Sequence, residues 1–160
     1  MRYISVEHQR AISERYKIAS IIVFVFCASV VAFIAVGRFI PPPGIVPGGE
    51  RLTTIVPAVV IVLALLIIVF RRVWMSAMVM GSAPRLGADA VLKRLLIMSV
   101  VCAALSESVA IIGLIFYMLT GGYRYSLILS LVSLMLLFYT AFPRRGEWDR
   151  AVAAATSGSA

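Results

Sequence analysis

Four long apolar runs, Ile18–Val36, Leu52–Phe70, Leu95–Leu119 and Tyr125–Phe142, constrain this chain more than any other feature. Each is close to the roughly 20 residues that cross a hydrocarbon core of about 30 Å as a helix. With 62% hydrophobic and only 14% charged residues among 160, there is too little polar surface to clothe a soluble domain of this size. The expected fold is all-α: a polytopic membrane protein with four transmembrane helices in an antiparallel bundle. Residues 1–17 form a leader, 18–142 the membrane domain and 143–160 a tail.

The formal charge of +8 would raise nucleic acid as a partner for a soluble protein. Here the placement of the charges gives them another role. Arg2, Arg10, Arg15 and Lys17 precede the first run. Arg71, Arg72, Arg85, Lys93 and Arg94 lie between the second and third, and Arg144, Arg145 and Arg150 follow the fourth. The other two connections hold only Arg38, Arg51 and Arg124. The positive-inside rule therefore places both termini and the middle connection in the cytoplasm. A membrane-impermeant thiol reagent should reach a Gly48→Cys variant only from the outer side. Labelling from the cytoplasm alone would reverse the topology. The expected location is a bacterial inner (cytoplasmic) membrane, with the lipid bilayer and either other membrane subunits or further copies of this chain as partners.

About 17 residues precede the first run, which is too long for a typical signal-peptide core and is expected to be retained. The leader has a weak amphipathic pattern suited to the membrane surface. The connection Phe39–Gly49 is rich in proline and glycine and unusually apolar, a docking surface or a loop packed on its own bundle. Pro57 sits near the outer end of the second run, where a missing amide donor is tolerated in a first turn. Gly81 and Pro84 are expected to end the second helix, and residues 151–160 to form an unstructured small-residue tail.

One residue stands against the apolar background. Glu107 lies midway along Leu95–Leu119 with no other Asp, Glu, Lys, Arg or His in that run. Intramembrane carboxyls cost roughly 2.5–3.5 kcal/mol on insertion scales, so they face protein and mark an ion path or a polar lock between helices. No span contains Lys, Arg or His. Without a cation beside it, Glu107 is expected to rest as the neutral acid.

Around it the third span carries a small-residue stripe, Ser99, Ala103, Ser106, Ala110 and Gly113, which admits a closely packed neighbour. The fourth span has its own polar line, Ser126, Ser130, Ser133 and Thr140. The short link Thr120–Arg124 forces these two spans into an antiparallel hairpin. Turning near Gly122, it sets Glu107 opposite Leu137, with Ser133 and Thr140 a turn to either side, Tyr139 nearby and Ser106 and Ser108 flanking. The serines either bond across the interface or return their hydroxyls to their own helix.

His8 is the only histidine, no GxxxxGK loop occurs, and Cys27 and Cys102 fall within spans as small hydrophobes. The residues therefore suggest no catalytic group, no metal ligand and no cofactor. Glu50, Asp89, Glu147 and Asp149 read as solvated loop charges.

The segment Ala104-Leu105-Ser106-Glu107-Ser108-Val109-Ala110-Ile111-Ile112-Gly113-Leu114-Ile115 resembles the ion-carrying helix of the rotary ATP synthase c subunit, the proteolipid. There a single carboxylate follows small residues and precedes an Ala-Ile-x-Gly-Leu segment, and the helix runs outward from a polar cytoplasmic loop. The resemblance covers about 25 residues and implies that Glu107 binds and releases a proton or sodium ion. Two functions follow. One is a non-catalytic membrane subunit that stabilises or anchors a larger complex, with Glu107 as a buried neutral polar lock; the other is a c-subunit-like translocating subunit.

Overall fold

The computed structural model describes residues 6–42, 49–81 and 87–157. It is helical throughout, and four of its helices are long and apolar enough to span a membrane. Helix α1 covers Val6–Phe39, α2 Gly49–Val73, α3 Ala88–Thr120, α4 Tyr123–Leu136 and α5 Arg145–Ser157. Two π-helical segments, Trp74–Met80 and Leu137–Ala141, prolong α2 and α4 at the same end of the bundle as α5.

Helix α3 is the hub, and all four other helices pack on it. Across the span windows 44% of α3 is buried in protein, against 17% of α1 and 11% of α2. The rest of α1 and α2 presents Ile21, Phe24, Val25, Ile61, Val62, Leu65 and Leu66 outward, side chains that lipid solvates as well as protein does. In α1 the buried positions Ile12, Ala19, Val23 and Val30 repeat every seven or four residues, so one stripe faces the bundle.

The third and fourth spans form the expected hairpin with a shorter link. Only Gly121 and Gly122 separate the helices. Gly121 has φ 71°, a left-handed conformation open to glycine without a Cβ clash, and its N–H bonds the Tyr117 carbonyl at 2.8 Å. Ser99, Ala103, Ser106, Ala110 and Gly113 of α3 are all buried, as are Ser126, Ser130 and Ser133 of α4, and Ser106 and Gly113 meet α4 directly. A Cβ on Gly113 would lie 2.9 Å from Leu129 Cβ, so the backbones approach as closely as glycine permits.

Three expectations need correcting. The leader is no separate surface helix: from Val6 it is the first turns of α1, with Ile12 buried in the core. The tail is not unstructured through residue 157. Phe142 precedes Pro143 and is held extended at φ −63°, ψ 123°, which ends the fourth span. The chain then folds back as α5, burying Trp148, Ala151, Val152 and Ala155 at the i, i+3, i+4, i+7 spacing of an amphipathic face. Pro57 is not in a first turn, because α2 begins at Gly49 and carries it in its third. The proline-rich positions 43–48 and the break near Pro84 lie outside the described residues. Just before position 43, Tyr117 OH donates to the Ile40 carbonyl at 2.9 Å and ties the end of α1 to α3.

The basic ends converge. Arg15 of α1 pairs with Asp89 at the start of α3, Arg71 Nη2 of α2 lies 2.9 Å from Glu147 Oε2 of α5, and Tyr16 meets Trp148 edge to face at 6.1 Å. The segments expected in the cytoplasm therefore share one end of the bundle. Glu147 is not a solvated loop charge, since its side chain is only 19% exposed and it also lies 3.8 Å from Arg144 Nη1.

Candidate functional site

Glu107 comes from the middle of α3, thirteen residues before the helix ends at Thr120. Ser29 of α1 lies ten residues before that helix ends at Phe39. Both helices run in the same direction, so the two side chains share a depth. Ser29 Oγ hydrogen-bonds Glu107 Oε1 and lies 2.8 Å from the Phe26 carbonyl oxygen of its own helix.

The partner helix therefore differs from the one expected. Adjacent residues on a helix point about 100° apart, and Ser106, not Glu107, faces α4. Ser106 Oγ donates to the Cys102 carbonyl at 2.8 Å and lies 3.3 Å from Thr140 Oγ1, while Ser133 Oγ donates to the Ser106 carbonyl at 2.6 Å. Thr140 in turn donates to the Leu136 carbonyl at 2.7 Å. Ser106, Ser133 and Thr140 are fully buried and form a polar knot between α3 and α4 one residue away from the carboxyl. Ser108 returns its hydroxyl to the Leu105 carbonyl at 2.7 Å.

Tyr139 is not part of this group. It is 53% exposed, with the Arg144 guanidinium 5.5 Å from its ring centroid, at the basic end of the bundle. Ser130 Oγ is buried with no hydrogen-bond partner among the described residues.

Glu107 is half-buried, because its helical position falls on the edge of the outward stripe between exposed Ala104 and Ile111. One side meets α1; the other borders the membrane. Ser29, which the sequence pattern does not single out, joins the candidate site through this bond. Apart from Ser20 it is the only hydroxyl residue in Ile18–Val36, and equal depth in two parallel spans is the signal that could have paired it with Glu107.

Neither a protein-family model, nor a curated protein, nor a solved structure matches this chain. Among the described residues no three His, Cys, Asp or Glu side chains are grouped to hold a metal ion.

Proposed function

We propose that this chain is a non-catalytic integral membrane subunit, multi-pass in a bacterial cytoplasmic membrane, that stabilises or anchors a larger membrane complex. Glu107 is its neutral polar lock. The observation carrying this reading is the Ser29–Glu107 hydrogen bond, which engages the carboxyl within the chain and joins α1 to α3. The broad uncovered faces of α1 and α2 are where neighbouring subunits or lipid pack.

A second reading, a c-subunit-like ion-translocating proteolipid, is favoured by one observation: the carboxyl borders the outward stripe of α3, where a partner's cation can approach it. The resemblance around Glu107 supports it too. Against it, Thr53–Phe70 contains no glycine, whereas close ring packing of many copies needs small residues on both helices.

Glu107→Gln separates the two, because glutamine keeps the size and the hydrogen bond and cannot ionise. For a polar lock, the variant assembles like the parent, and its stability in mild detergent stays within about 1 kcal/mol, the scale of one interhelical hydrogen bond. A correctly assembled variant that loses proton or sodium flux in proteoliposomes, together with carbodiimide reactivity at this position, would replace the lock with the translocating reading.

A further inference from the structure

At the basic end, the last turns of α2 and its π-helical continuation, Tyr139 of the π-helical continuation of α4 and the first turns of α5 line a cleft of about 460 Å³. Three guanidinium groups line it, those of Arg71, Arg72 and Arg150, with the polar side chains of Ser76 and Tyr139. A single carboxylate, Glu147, opposes them, and it is already bonded to Arg71 Nη2. The cleft therefore keeps an excess of positive charge. Arg71 Nε is buried there without a hydrogen-bond partner among the described residues. A buried unmatched donor beside surplus positive charge is the complement of an anionic oxygen.

A second feature selects among anions. Tyr139 also lines an open groove of about 630 Å³ that runs along the outer face of α4 over Leu131, Met135 and Phe138. These three side chains are 49%, 73% and 55% exposed, on a face that lipid chains bathe. Arg144 sits over the Tyr139 ring where groove and cleft meet. A basic cleft at headgroup level that continues into an apolar groove at acyl-chain level matches the two halves of one molecule. Basic pockets between transmembrane helices on the cytoplasmic side are a recognised place for anionic headgroups, and π-helical turns, which flank this cleft on two sides, gather at functional sites.

We propose that this cleft is a binding site for an anionic phospholipid, its phosphate held by Arg71, Arg72 and Arg150 and one acyl chain lying along Leu131, Met135 and Phe138. Neither Glu107 nor Ser29 lines this site, and it does not depend on the function assigned to that carboxyl. Bound lipid would tie α2, which otherwise leans mainly on α3, to α4 and α5.

The test uses the full chain purified in a neutral detergent. Thermal stability is measured on adding phosphatidylglycerol, phosphatidylcholine or inorganic phosphate, and native mass spectrometry counts retained lipid. Phosphatidylglycerol is expected to stabilise and be retained, while phosphatidylcholine and inorganic phosphate are not. Arg72→Gln combined with Arg150→Gln should weaken phosphatidylglycerol binding roughly tenfold or more. Arg38→Gln combined with Arg124→Gln, at the opposite end, should leave it unchanged. Arg72 and Arg150 are both exposed, and among the described residues Arg150 bonds only the Gly146 carbonyl of its own helix, so the first variant keeps its fold. Equal stabilisation by phosphatidylcholine, an equal effect from inorganic phosphate alone, or undiminished binding in the first variant would each overturn the proposal.

Discussion

Trp148→Ala is expected to lower the unfolding free energy in mild detergent by about 3–5 kcal/mol, the range for emptying a buried tryptophan site. Its side chain is 1% exposed and stacks edge to face on Tyr16 of α1, so it anchors the fold-back of the chain after Pro143. Ala151, Val152 and Ala155 complete the buried face but are too small to hold α5 alone. Loss of the indole should therefore release α5 as a unit, and trypsin should then cut at Arg150 at a concentration that leaves the parent intact. Trp148→Phe keeps most of the volume and should recover most of the loss. A Trp148→Ala protein with parental stability and protection would mean that α5 is not docked.

At the other side of the bundle, Gly113→Leu should destabilise the α3–α4 hairpin by roughly 3 kcal/mol, near the upper end of what overpacking usually does. Even one added carbon meets Leu129 Cβ at 2.9 Å and the Ser126 carbonyl at 3.3 Å, atoms fixed to the opposing backbone. For Gly113→Ala two effects compete. Helix propensity favours alanine by about 0.8–1 kcal/mol, while forcing the helices apart costs about 1–3 kcal/mol. The clash wins, leaving a net loss on the order of 1 kcal/mol. Adding Leu129→Ala should not restore stability, because the offending Cβ remains. Full rescue by that second change would show that the crowding lies further out along the side chain. Thermal denaturation of the three variants in the same detergent measures both points.

The spans and the hairpin were legible because their causes are local: apolar length fixes a crossing, and two glycines after Thr120 leave no other route back. The polar residues of α3 and α4 were legible to within one residue. That one residue mattered, since it turns a side chain by about 100° and moved Glu107 from α4 to α1. No short connection ties α1 to α3, so nothing in the sequence set their rotation. Helix α5 was hidden for a different reason. Its buried face, Ala151, Val152 and Ala155, consists of small residues that read as low complexity until Trp148 is counted as their first turn. The π-helical geometry of Trp74–Met80 and Leu137–Ala141, the segments that flank the cleft, left no mark in the residue pattern.

Glu107 and Ser29 are bonded across α1 and α3, and a double-mutant cycle measures how strongly they act on each other. Ser29→Ala, Glu107→Ala and the double variant are unfolded in the same detergent, so that the cavity and propensity terms of each single change cancel. The expected coupling is about 0.6–1.7 kcal/mol, from the average to the maximum for interhelical hydrogen bonds in membrane proteins. Additive losses, with no coupling between the two positions, would contradict it.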